Sequence, residues 1–122
     1  MSFTHYLYLG HFEHVGDAVR FSKDPTDSVY RPVVRTPIDA ADVEAVLREI
    51  KGGSDIRTFP EEWTIWPENG YLICNKYATD REEIDFVSRL VERTQCDIHD
   101  FGAHCDITLR EWLDVTHSYA KL

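Results

Sequence analysis

The chain has 122 residues, with 22 acidic side chains against 13 basic ones, a formal net charge of −9, and 43% apolar and 29% charged residues. That balance is that of an ordinary globular chain, not a disordered one, and leaves enough apolar material for one core, so residues 1–122 read as a single α+β domain. It also excludes a membrane span, since no run nears ~20 apolar residues, and nucleic-acid binding, since the lysines and arginines are scattered among acids.

Cys74, Cys96 and Cys105 are odd in number and irregular in spacing, a poor disulfide framework. The segment Met1–Tyr6 has no basic stretch leading into an apolar block. Both features point to a cytoplasmic protein with free thiols. Acidity of this degree serves solubility and also steers a basic protein partner.

Residues 4–12 read as a strand, with Tyr6, Tyr8 and Phe12 on one face and His5, Leu7, Leu9 and His11 on the other. Apolar groups on both faces predict a strand covered on two sides. Residues 13–28 are polar and predict a loop with at most a helical turn near Asp17–Phe21. Residues 29–35 are strand-like, but Pro32 cannot donate to a ladder, which restricts the segment to an edge or a bulge.

Asp39 is placed to cap a helix over 40–51, in which Val43, Val46, Leu47 and Ile50 recur at spacings of three and four. Gly52-Gly53 supplies the left-handed stop. Residues 55–59 and 63–66 read as extended, broken at Pro60. The turn Pro67-Glu68-Asn69-Gly70 then joins Trp63–Trp66 to a strand over Tyr71–Ala78, because Pro fixes φ and Asn-Gly accepts positive φ.

Thr79 and Glu82 have the spacing of a capping box, opening a helix over 80–94 with Ile84, Val87, Leu90 and Val91 on one stripe. A short strand, Cys96–Phe101, precedes a second capping box, Thr108 and Glu111, at the start of a last helix. From 29 to 101 the order is β-α-β-β-α-β. It predicts a ferredoxin-like (split βαβ) antiparallel sheet with both helices on one face, an extra N-terminal strand and a C-terminal helix.

Such a fold hosts many activities and names none. There is no Gly-rich phosphate loop, no G-x-S-x-G elbow, no H-E-x-x-H and no calcium-loop spacing. The densest chemistry is Cys96–Asp106, with His99, His104 and several aspartates, and a turn at Gly102 could bring His104 or Asp106 back to His99. Two imidazoles and a carboxylate suit zinc or iron, and His99 or His104 could serve as a general base. The spacing matches no finger or ribbon, so no metal ligands are assigned and no cofactor is expected. His5, His11 and His14 do not chelate in pairs: His11 and His14 point to opposite sides of a strand, and His5 lies ~20 Å from His11 at ~3.3 Å per residue.

The stronger expectation is a binding surface on the hairpin, formed by Glu61, Glu62, Trp63, Trp66 and Glu68, an aromatic anchor ringed by carboxylates. Trp63 and Trp66 fall on opposite faces, so one tryptophan lies away from the first core. Small acidic immunity or inhibitor proteins share this size and charge, a likeness in those two properties alone. The expected partner is a protein, basic or a second copy forming a homodimer. The alternative is a small metal-binding protein or enzyme using residues 96–106.

Overall fold

Strand β1 (Tyr6–Phe12) sits inside the sheet because it is apolar on both faces: Leu7 and Leu9 are sealed on one side, Tyr8 and Phe12 on the other. The computed structural model describes residues 5–23, 25–26, 29–52 and 59–120. After β1 come β2 (His14–Val15), β3 (Ala18–Val19), β4 (Phe21–Lys23), β5 (Tyr30–Pro32), β6 (Val34–Thr36) and helix α1 (Ala40–Lys51). Then follow β7 (Trp66–Pro67), β8 (Leu72–Asn75), α2 (Arg81–Thr94), β9 (Asp97–Asp100), β10 (Cys105–Ile107) and α3 (Leu109–Ala120). The protein is thus a mixed α+β chain, with three helices and only antiparallel strand pairs among the described residues.

The main sheet runs β10-β9-β1-β8-β7, with β6 on the end of β1. Leu7 stands opposite Cys74 of β8 and Asp100 of β9, so β1 is hydrogen-bonded along both edges. Helix α2 connects the two strands that flank β1. The expectation that residues 29–35 supply the first strand of the plait is corrected here. The segment splits at Val33, with β5 in a separate two-stranded ribbon with β4 and β6 touching only the end of β1. Pro32 explains this, because a strand lacking that amide cannot pair on both edges. The 4–12 strand, expected as an addition, takes the central place.

The predicted loop over 13–28 is also corrected. It contains the ribbon β2–β3 about Gly16 (φ 63°) and the strand β4, which pairs with β5 beyond it. Gly16-Asp17 between strand formers is a two-residue hairpin signal.

Helices α1, α2 and α3 lie on the Leu7/Leu9 face. Val46, Leu47, Ile84, Phe86, Val87, Leu90 and Trp112 pack there with Leu72, Cys74 and Ile98. Opposite them, Tyr8, Phe12, Val19, Tyr71 and Ile73 form a second cluster with Tyr6, Phe21, Val34, Trp66 and Phe101. Gly10 is required between the two strands, because a Cβ there would lie 2.8 Å from the Phe12 ring and 2.9 Å from Tyr71 Cβ.

Asp39 caps α1 by accepting from the Ala41 amide at 2.9 Å, and Gly52 closes it at φ 69°. The α2 cap is Asp80, one residue past the predicted Thr79: its carboxylate accepts from the Glu82 and Glu83 amides. A charged acceptor facing the positive end of the helix dipole outcompetes a hydroxyl. The Thr108–Glu111 box forms as expected, each side chain bonding the other's amide at 3.1 Å. Of the predicted extended segments, 55–58 lies outside the described residues, and only Trp66 of 63–66 is in a strand.

Leu90→Ala should lower unfolding free energy by ~2–5 kcal/mol, read by denaturant titration, because the site is fully buried between helices and sheet. Gly10→Ala should cost ~1–3 kcal/mol in the same measurement through overpacking.

Candidate functional site

Two regions collect polar and aromatic chemistry. The first is the hairpin. It forms, but one residue later than predicted: Pro67 ends β7 opposite Leu72, and the strand after the turn is Leu72–Asn75 instead of Tyr71–Ala78. The reversal spans Glu68–Tyr71, with the Glu68 amide donating to Tyr71 O at 2.8 Å and Gly70 at φ 90°. The five expected binding residues do not share one surface. Trp63 is only 6% exposed and packs against Phe59 and Phe86 at ring distances of 6.3 and 5.5 Å, with Lys51 Nζ 5.8 Å from its ring centre. It is a core residue, and its Nε1 has no acceptor among the described residues. Trp66 crosses to the second cluster, as the strand alternation requires, and lies half-buried edge-on to Tyr6 at 5.2 Å. Its Nε1 donates to Glu68 Oε1 at 3.1 Å, and Arg31 pairs with the other oxygen of Glu68 at 3.5 Å. Glu61 and Glu62 are exposed.

Beside this turn, a cleft of about 310 Å³ opens between the start of α1 and β7–β8. Its walls are Ile38, Val43, Leu47, Phe59, Tyr71 and Leu72, with Glu44 and Glu68 among the lining groups.

Under the hairpin, Glu83 is 1% exposed and accepts from both the Thr64 amide and the Thr64 hydroxyl. Burial raises its pKa above the usual carboxylate range, and the Thr64 hydrogen bonds counter part of that rise. Cys74, wholly buried nearby, has its thiol pushed up by desolvation, with Glu83 adding to the rise.

The second region lies where β2, β9 and β10 meet. Register sets Asp106 of β10 opposite His99 of β9, and Asp106 Oδ1 lies 3.2 Å from His99 Nδ1. The other oxygen, Oδ2, lies 2.7 Å from His14 Nε2. His14 Nδ1 in turn reaches Phe12 O at 3.1 Å, while the Phe12 amide donates to Asp97 Oδ2 at 3.1 Å. The carboxylate of Asp106 holds the His14 pKa up. Burial is the largest influence on His99 and pushes its pKa down, against the pull of Asp106.

His99 is 2% exposed, with Tyr8 stacked at 6.3 Å and Phe21 at 5.5 Å, and its Nε2 has no partner among the described residues. Of the stretch singled out in the sequence, Asp106 does return to His99. His104 does not join this hydrogen-bonded chain: it occupies a left-handed turn position (φ 55°), exposed against Phe101. His14 enters from a segment read as loop. The Gly16-Asp17 turn signal would have placed it on a ribbon.

Comparison of the chain with protein-family models, with curated proteins and with solved structures finds no match.

Glu83→Gln gives a test of the buried carboxyl. A folded-state pKa raised above the unfolded value stabilises below ~pH 4 and is lost as pH rises through the folded value. The stability deficit of Glu83→Gln relative to the parent should therefore be largest in acid and shrink toward neutrality, as read by denaturant midpoints across pH.

Proposed function

We propose that the protein is an acidic protein-binding module whose ligand is a basic segment of a different protein, seated in the cleft beside the Pro67–Gly70 turn. One observation carries the reading: an apolar floor of Ile38, Val43, Leu47 and Tyr71 with the carboxylates of Glu44 and Glu68 beside it. Such a floor buries an aliphatic or aromatic anchor, and the carboxylates select flanking lysines or arginines.

The net charge of −9 supports a basic partner through long-range steering. The same charge argues against a second copy, which would bring Glu44, Glu61 and Glu62 against themselves. Trp66 is not among the residues that line the cleft, because it packs edge-on to Tyr6 in the second cluster. Trp63 leaves the binding set because the core holds it.

We also infer a split βαβ plait of the ferredoxin-like kind, with β1 as its first strand. Its supports are the intercalation of β1 between β8 and β9 and the shared face of α1 and α2.

The probe is an amidated peptide of lysines and arginines around one central leucine, titrated into isotope-labelled protein. Saturable shifts should cluster at Ile38–Leu47 and Glu68–Leu72, and Glu44→Lys should weaken binding about tenfold or more. Raising salt should weaken the parent complex as well. Shifts spread evenly over the acidic surface, or a dimer mass by light scattering without peptide, would overturn the reading.

A further inference from the structure

The hydrogen-bond inventory of His14 leaves one contact unexplained by neutral groups. Phe12 O can only accept, so His14 Nδ1, 3.1 Å away, carries the ring proton. In the neutral ring Nε2 then holds a lone pair, yet it lies 2.7 Å from Asp106 Oδ2, another lone-pair atom. An electrophile has to join them: a second ring proton or a metal cation. Asp97 adds a third donor, since one ligand atom from each of His14, Asp97 and Asp106 lies within 4.8 Å of the other two.

We propose that His14 Nε2, Asp97 and Asp106 form a binding site for a divalent first-row transition ion of the zinc class. His14 and Asp106 are exposed and so have room to adjust, and binding requires that all three donors reach the ~2.0–2.2 Å of such an ion. One imidazole favours this class over calcium or magnesium, and two carboxylates neutralise the ion's charge. Three protein ligands leave a position for water.

The ligands are also held from behind. The single residue Phe12 orients two of them, through its carbonyl to His14 and its amide to Asp97, and His99 Nδ1 orients Asp106. Phe12 lies two residues past the last β1–β9 pair, Gly10 opposite Asp97, which leaves its peptide groups to these side chains. The ligands come from β2, β9 and β10, so a bound ion would tie the β2–β3 ribbon to the main sheet.

Full-length protein stripped with a chelator and titrated calorimetrically with Zn2+ near neutral pH tests the proposal, with Ca2+ as a control. Expected is one saturable Zn2+ site, weakened at least tenfold in His14→Ala, Asp97→Asn and Asp106→Asn. It should be unchanged in His117→Ala and in Cys105→Ser, and Zn2+ should raise the melting temperature of the parent but not of Asp106→Asn. Asp97→Asn keeps an oxygen for the Phe12 amide, so the folded state survives that change. Absence of a saturable site, Ca2+ binding as tight as Zn2+, or Zn2+ binding that survives all three ligand changes would overturn the proposal. So would a thiolate-to-metal absorption band with Co2+ that vanishes in Cys105→Ser.

Discussion

Every other feature of this protein depends on β1 being enclosed, with a neighbour on each edge and a cluster on each face. A strand with period-2 side chains and two buried faces has one workable register, since a slip of one residue would send Tyr8 into the helices and Leu9 into the aromatic cluster. That register decides where the strand must leave the sheet. Pairing with β9 ends at Gly10 opposite Asp97, and beyond it the Phe12 peptide bonds the side chains of Asp97 and His14 instead of a strand. The polar cluster is therefore a product of how the core strand terminates.

The carboxylates of the chain fall into distinct physical situations despite its uniformly acidic composition. Glu83 is buried and held by Thr64, fastening the start of α2 to the segment before the turn. Asp100 is 1% exposed but paired with Lys76 at 2.5 Å, and it also accepts from the Ala103 amide, so its charge is compensated where it sits. The α1–α2 pairs Arg89–Glu49 and Arg93–Asp42 lie in solvent and contribute little beyond solubility and registry. Glu44, Glu61 and Glu62 keep free access to water, which is the condition for attracting a cation or a basic chain.

Local chemistry was legible in the sequence and remote pairing was not. Asp39, Gly52, the Pro67–Gly70 turn and the Thr108–Glu111 box act within one turn of chain, so residue type alone located them, the hairpin turn to within one residue. The two faces of residues 4–12 were also readable from alternation. The central position of that strand was not, because nothing local distinguishes a middle strand from an added one. Trp63 was misplaced because its segment runs without strand pairing, and Phe59 and Phe86, distant in sequence, close over its ring. Ribbons of two or three residues, such as β2–β3, are too short for periodicity to register, which hid His14.

The enclosure of β1 has a consequence during synthesis. The partners along most of its length, β8 and β9, lie in the second half of the chain, so β1 emerges from the ribosome with only β6 to pair at its end long before they are made. Its apolar faces and open amides remain available to chaperones, or to another nascent copy, until β8, α2 and β9 have all been made. Contacts of such long sequence separation also slow closure of the sheet, making the interval before β9 docks the period of greatest exposure to aggregation.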